Sequence, residues 1–129
     1  MLALSACLLA GCGGGSSRPA VQGTVTFDGA PVDGGKIMFI ATDSKGINAN
    51  ANIVAGKYAL AAGKGPSVGA HKVEIVWYKK TGKQVVGSDP PNKIDETIQV
   101  IPEKYNAKSS VTEQIKAGAN TLNYELKFK

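Results

Sequence analysis

The chain has 129 residues, of which 43% are hydrophobic and 19% charged, and its formal net charge is +5. This length supports one domain, or two at most, and is sufficient to bury a hydrophobic core. Two cysteines are too few for a disulfide scaffold, and the many β-branched residues are not typical of a coiled coil or a disordered chain. No run of 18 apolar residues occurs, so the sequence offers no candidate for a transmembrane helix.

The first twelve residues form a short apolar segment without charge. It has the length of the apolar region of a signal peptide and is too short to cross a hydrocarbon core of about 30 Å. Its end, Leu9-Ala10-Gly11-Cys12, resembles the lipobox of bacterial lipoproteins. The resemblance implies that residues 1–11 are a signal peptide and that Cys12 is acylated and becomes the first residue of the mature chain.

The alternative is that residues 1–12 form a first strand or a buried N-terminus. The Gly/Ser tract at 13–17 favours the lipoprotein, because it has no side chains to pack and suits a tether at 12–19. Residues 13–19 would span about 15 Å as a flexible coil. Gly13 after the cysteine, instead of Asp, is similar to the pattern of outer-membrane retention. We therefore expect an exported protein, periplasmic or on the cell surface and anchored in the outer membrane, with its folded domain at 20–129.

From Ala20 onward, apolar and polar residues alternate with a period of two between Gly, Pro, Asn and Asp turns. Val21, Gly23, Val25 and Phe27 share the first face. The next strand, 36–42, is apolar on both faces and is predicted to be central. Further strands are predicted at 47–53, 57–60, 72–78, 96–101, 109–116 and 121–128.

The closing strand has the clearest alternation, and Leu122, Tyr124, Leu126 and Phe128 are expected to face inward. No window of 11 or more residues keeps a helical apolar period. Short strands at this spacing predict an all-β fold, an antiparallel β-sandwich of seven to eight strands or a small barrel.

The opening segment, Val21 to Val32, resembles that of carboxypeptidase regulatory-like domains, which have a glycine, a valine two residues on, and a later Gly-x-Pro turn. The segments Gly56-Lys57-Tyr58 and Gly69 to Ile75 are similar to later parts of that family. The resemblance covers residues 20–128 and implies a transthyretin-like (prealbumin-like) sandwich in a small bacterial lipoprotein, usually without catalysis. Its motifs are mostly turn glycines, which specify a fold better than a function.

Catalysis and metal binding find little support in the sequence. His71 is the only histidine and is expected at the surface or edge of a strand, so an acid–base site lacks partners. Asp28, Asp33 and Asp43 could supply oxygen ligands to Ca²⁺, but Asp-Gly pairs are also ordinary turn residues. We expect no enzyme, no metal site and no cofactor.

The segment at 79–95 is longer than most connections, and such loops are commonly functional or disordered. It carries four lysines, Lys79, Lys80, Lys83 and Lys93, against Asp89 and Asp95. Either this is a basic loop that contacts an anionic polymer or lipid head group, or it is a solvated hairpin. Nucleic acid is an unsuitable partner for an exported protein whose only arginine is Arg18.

Three aromatic residues could stack on a sugar. Trp77 has the parity of Val73 and Ile75 and is expected in the core, whereas Tyr78 lies on the opposite face. Tyr105 is expected to tuck its ring onto one end of the sandwich.

The favoured hypothesis is therefore a lipid-anchored, non-catalytic interaction or structural module of the cell envelope, whose partner is an unidentified envelope protein or polysaccharide. A glycan-binding module that uses Tyr78, Tyr105 and the 79–95 segment is the first alternative. An accessory subunit of an envelope assembly is the second.

Overall fold

A computed structural model describes residues 18–87 and 92–129, and in these ranges the fold is nearly all β. One 3₁₀ helix, Glu103–Tyr105, lies between the eighth and ninth strands. The strands are β1 (Ala20–Phe27), β2 (Ala30–Pro31), β3 (Gly35–Ala41), β4 (Ala49–Ile53), β5 (Lys57–Leu60), β6 (Gly69–Val76), β7 (Tyr78–Val86), β8 (Lys93–Gln99), β9 (Thr112–Ile115), β10 (Ala119–Thr121) and β11 (Tyr124–Leu126).

Two sheets and a separate hairpin account for these strands. In the first sheet, β1 is paired with β2, β5, β10 and β11; the second sheet has the order β4-β3-β6-β9. The hairpin consists of β7 and β8. The all-β prediction is thus confirmed, and the chain is divided into more and shorter strand segments than the seven or eight that were predicted.

The first sheet is mixed, and its two parallel pairings were not part of the predicted antiparallel sandwich. β10 and β11 both run parallel to β1, with Ala20 opposite Ala119 and Val25 opposite Tyr124. The chain reaches β10 by crossing from β9 of the second sheet, and it arrives running in the same direction as β1. Alternation reports which face a residue occupies and not the direction of the neighbouring strand.

The hydrophobic core lies between the inner faces of the two sheets. Ile37 and Phe39 of β3, Val73 and Ile75 of β6 and Val25 of β1 are at most 2% exposed. As predicted, β3 is central, because β4 and β6 flank it. Burial of such aliphatic and aromatic side chains contributes about 1.5–3 kcal/mol each to folding.

The end of the chain departs from the predicted closing strand. Tyr124 and Leu126 are buried, but Leu122 is only half-buried and Phe128 is 63% exposed. The regular pairing stops between β10 and β11, at residues 122–123, where the chain bends across β1. The predicted strand at 109–116 is shorter, Thr112–Ile115, and the strand predicted at 47–53 begins at Ala49.

The hairpin and the first described residues lie at opposite ends of the sandwich. Ala20 starts β1 beside the turn at Gly118, whose carbonyl oxygen accepts from the Ala20 amide. The hairpin leaves the end of β6 at Trp77, whose indole donates to the Asp33 carbonyl oxygen near the end where β1 finishes. At the usual rise per residue, β1 separates these two ends by about 23 Å.

Candidate functional site

The lipobox Leu9-Ala10-Gly11-Cys12 and the Gly/Ser tract lie outside the described residues. The description begins at Arg18, within the predicted tether. The Arg18 guanidinium donates twice to the Gly63 carbonyl oxygen, at 2.8 and 3.2 Å, and the Gly63 amide donates to the Arg18 carbonyl oxygen. Pro19 is buried. These contacts fix the entry of the chain to one end of the sandwich. No helix in the described residues is long and apolar enough to cross a membrane.

The predicted long connection at 79–95 is instead most of a β-hairpin. Tyr78 pairs with Gln99 at its base and Val86 pairs with Lys93 toward its tip, with an irregularity between Lys80 and Gln84. Every residue of β7 is exposed. The described parts of this segment therefore form a largely solvated hairpin, as in the second of the two alternatives, and the four lysines lie on this projecting element.

One face of the hairpin is polar and carries an ion pair. Lys80 Nζ lies 3.0 Å from Asp95 Oδ2, and the Gln84 amide nitrogen lies 3.5 Å from Asp95 Oδ1. The hydrogen bond from Lys80, with a smaller contribution from Gln84 and the charge of Lys80, holds the pKa of Asp95 below its ordinary value. Because both side chains are largely solvated, the pair orients them more than it stabilises the fold.

The other face of the hairpin, which was not predicted, carries three β-branched side chains and also Glu96, whose carboxylate accepts from the Thr81 hydroxyl. It is called the apolar face. Val85 lies opposite Ile94, and Lys79 lies opposite Ile98. Val85, Ile94 and Ile98 are 39%, 56% and 53% exposed, so these β-branched side chains meet solvent on a two-stranded sheet with no covering layer. Ile94 and Ile98, four residues apart and therefore on one face of β8, are the sequence signal that could have revealed this face.

Trp77 and Tyr78 stand where the hairpin joins the sandwich. The Trp77 ring was predicted to lie in the core; it is half-buried and packs against the core from outside. The Lys79 ammonium lies 4.7 Å from the centroid of the ring. Such a cation–π contact holds Lys79 against the base of the hairpin. Tyr78 is 58% exposed on the opposite face, as predicted.

Tyr105 belongs to a different part of the molecule from the hairpin residues. Its ring packs against the edge of the core, as predicted, and its hydroxyl accepts from the Lys127 amide at 3.1 Å. Tyr78 borders a shallow depression formed with Lys36, Asn52 and Val76, and Tyr105 is not part of that depression. The structure therefore groups Tyr78 with Lys79, Lys80, Lys83 and Lys93 on the hairpin and leaves Tyr105 outside the group.

The expectation that His71 lies at the surface is wrong. It is 1% exposed and faces the core of the sandwich from β6. Its Nδ1 lies 3.0 Å from the Gly69 carbonyl oxygen and its Nε2 lies 3.3 Å from the Ile47 carbonyl oxygen. In the part of the chain that the structure describes, no hydroxyl or thiol hydrogen-bonds to this ring. The two carbonyl contacts give His71 a structural role.

The three candidate calcium ligands serve three separate turns. Asp28 Oδ1 accepts from the Phe128 amide, Asp33 Oδ1 from the Ala55 amide, and Asp43 Oδ1 from the Lys45 amide. Among residues 18–87 and 92–129, no group of three His, Cys, Asp or Glu side chains is placed to hold a metal ion.

Two buried tyrosine hydroxyls inside the sandwich, those of Tyr58 and Tyr124, were not predicted from the sequence. Tyr124 donates to Glu113 Oε1 at 3.0 Å, and Tyr58 donates to the Leu122 carbonyl oxygen at 2.7 Å. Burial, and then the charge of Glu113, raise the pKa of both phenols well above the ordinary value. Both hydroxyls are thus protonated donors that tie the two sheets to the interrupted β10–β11 segment.

A scan against protein-family models finds no match, and searches of curated proteins and of solved structures find none either. The resemblance to carboxypeptidase regulatory-like domains therefore stays a prediction from the sequence. What is established is a mixed, all-β sandwich from which one lysine-bearing hairpin projects.

Proposed function

We propose that this protein is an exported, lipid-anchored interaction module of the cell envelope, without catalytic activity, and that the β7–β8 hairpin is the element that contacts its partner. The observation that carries the proposal is the exposure of β7 and of most of β8. All nine residues of β7 are exposed, and the hairpin pairs with neither sheet.

An isolated two-stranded hairpin is only marginally stable in water. A partner that covers one face would supply the packing layer that the hairpin lacks. The apolar face of Val85, Ile94 and Ile98 supplies area to bury. In the described part of the hairpin, Lys79, Lys83 and Lys93 form no ion pair with a carboxylate. This composition suits a protein surface that is acidic around an apolar centre.

The position of the hairpin supports the same proposal. Acylation at Cys12 would hold the membrane near the end of the sandwich where Arg18 and Ala20 lie. The hairpin base lies at the opposite end, about 23 Å away along β1. A partner in the space beyond the membrane surface is therefore within reach, and an accessory role in a larger envelope assembly fits this arrangement.

The anchor is tested by the mass and partitioning of the full chain. The wild-type protein should carry the added mass of acyl chains and enter the detergent phase, and Cys12→Ala should lose both properties. An unmodified wild-type chain would refute the anchor.

The role of the β7–β8 hairpin as the contact with a partner is tested by chemical cross-linking in intact envelopes. A variant that replaces residues 81–96 with Asn-Gly keeps the Lys80–Thr97 pair and closes it with a favoured two-residue turn. It should fold like the wild type but lose a discrete cross-linked product. The matched control, Lys127→Glu with Lys129→Glu, changes exposed lysines elsewhere and should keep that product. If the shortened variant keeps the product, the hairpin is not the contact.

A further inference from the structure

We infer that a second surface, separate from the apolar face and tip of the hairpin, binds a segment of an acidic glycan. Two depressions meet at one residue, Asn52. The larger, of about 610 Å³, lies over the outer faces of β1 and β5. The smaller, of about 270 Å³, lies over β3 and β6 and ends at Tyr78. Because Asn52 of β4 lines both, the two depressions adjoin there, and together they are called the trough.

The lining of the larger depression matches the hydrogen-bonding needs of sugars. Sugar hydroxyls both donate and accept, and so do amide and hydroxyl side chains. The side chains of Gln22 and Asn52 form no hydrogen bond within the described residues. Asn123 Oδ1 accepts from the Thr24 amide at 2.9 Å, which leaves the Asn123 amide nitrogen to donate. Besides Tyr58, whose hydroxyl is already bonded to the Leu122 carbonyl oxygen, the polar lining of this depression consists of Gln22, Thr24, Asn52, Lys57, Thr121 and Asn123.

The charge of the trough selects the class of glycan. Lys57 lines the larger depression and Lys36 the smaller, and no carboxylate lines either one. Neither ammonium forms an ion pair in the described ranges 18–87 and 92–129. A chain of uronic acid or another carboxylated sugar would place its negative charges beside these two lysines. A neutral glycan would leave both lysines without a counterpart.

The Tyr78 end of the trough offers an aromatic platform. The ring is 58% exposed and lies beside Gly34 and Gly35. A β-carbon at Gly35 would lie 2.5 Å from the Val76 carbonyl oxygen, and Gly34 has a φ of +110°, which favours glycine. Both positions therefore lack a side chain that would fill the depression beside Tyr78. An exposed ring of this kind can stack on the apolar C–H face of a sugar.

A protein ligand is the alternative occupant of the trough. An extended peptide is recognised through a free strand edge and through pockets for alternate side chains. The larger depression lies over outward side chains of β1 and β5, and its apolar lining includes Val54, Ala59 and the ring of Tyr58. The strand edges that a peptide could pair with are those of β4 and β5, each of which pairs on one side only.

Binding to the trough can be followed by the fluorescence of Trp77, the single tryptophan of the chain. Trp77 Nε1 would lie 3.8 Å from a β-carbon on Gly34, so its fluorescence reports occupancy of the smaller depression. The full chain is titrated with oligogalacturonate and, separately, with a maltooligosaccharide of the same length. We expect a saturable change with the acidic oligomer and at least tenfold weaker binding of the neutral one.

Variants then assign the site. Asn52→Ala should weaken binding at least fivefold, and Lys57→Gln should weaken it and reduce its dependence on salt. The matched control is Asn50→Ala, an exposed amide two residues earlier on the same face of β4 and outside both depressions; it should bind like the wild type. Calorimetry repeats each titration without relying on the tryptophan.

Three outcomes would overturn the inference: no saturable binding of oligogalacturonate, equal affinity for the neutral oligomer, or equal losses in Asn52→Ala and Asn50→Ala. The variant that lacks residues 81–96 keeps Tyr78 and the whole trough, so it should bind the oligomer normally. Failure of the hairpin as a protein contact and failure of the glycan site are thereby distinguished.

Discussion

The backbone of Leu122 crosses directly over Gly23, so closely that a β-carbon on Gly23 would lie 1.7 Å from the Leu122 carbonyl oxygen. This crossing is where the last segment of the chain leaves the regular ladder between β10 and β11. On either side of it, the Leu122 amide donates to the Gln22 carbonyl oxygen and the Thr24 amide donates to Asn123 Oδ1. The same Leu122 carbonyl accepts the buried Tyr58 hydroxyl, so Gly23 makes room for a bond that joins β5 to the end of the chain.

Gly23→Ala should therefore be strongly destabilising. The added methyl group has to displace backbone instead of a flexible side chain, and overpacking of this kind costs about 3 kcal/mol in the free energy of unfolding. The measurement is the urea midpoint, with Gly87→Ala as the control because its nearest neighbour is the Ile94 side chain at 3.3 Å. Similar midpoints for the two variants would show that the crossing is free to move.

Alkaline pH should weaken the fold through Tyr58 and Tyr124. Burial and Glu113 raise the pKa of both phenols in the folded chain above that in the unfolded chain. Their contribution to stability is complete below the unfolded value of about 10 and is lost as the pH rises, by at most about 1.4 kcal/mol per pH unit for each group. The unfolding free energy at pH 9 and pH 11 measures this loss.

The double variant Tyr58→Phe, Tyr124→Phe should show a flatter alkaline dependence, although it is less stable at pH 7 by about 1 kcal/mol per lost hydrogen bond. Tyr78→Phe, at an exposed ring, serves as the control and should keep the wild-type slope. An unchanged slope in the double variant would mean that other groups cause the loss.

Substitution of Asn106, which directly follows the 3₁₀ helix, should lower the stability of the fold. Its buried amide nitrogen lies 3.1 Å from the carbonyl oxygens of Ile75, Ile101 and Pro102. Asn106→Ala leaves these acceptors without that donor and should cost about 2–3 kcal/mol. Asn106→Asp should cost more, since carboxylate oxygens would then face carbonyl oxygens. Thermal unfolding compares both with Asn50→Ala, whose exposed amide should be dispensable.

The pKa of Asp95 should depend on Lys80. The hydrogen bond from Lys80 is the largest cause of its lowered value, so Lys80→Met should move the pKa of Asp95 up toward that of a free aspartate. Carboxyl carbon shifts in an NMR titration measure it directly. Lys83→Met removes a neighbouring charge without removing that bond and should change the pKa much less; equal shifts in the two variants would contradict the assigned cause.

The strand faces were predictable because they are recorded in local alternation. Val21 and Val25, Ile37 and Phe39, and Val73 and Ile75 all lie on the inward faces that their spacing indicates. The lysines of the 79–95 segment were found by composition, but their arrangement on a hairpin was only one of two alternatives. The apolar partner residues Val85 and Ile94 were missed, since a cross-strand pair depends on a register that the sequence does not display.

By itself, then, the sequence determined an all-β chain, its turns and most of its core, because side-chain alternation and turn residues act over a few neighbouring positions. Only the tertiary structure decided the parallel pairing of β10 and β11 with β1, the burial of His71 and the trough at Asn52. Each of these depends on contacts between segments distant along the chain. His71 shows the reason most directly: its Nε2 lies 3.3 Å from the carbonyl oxygen of Ile47, 24 residues away, although the local sequence indicated a surface position.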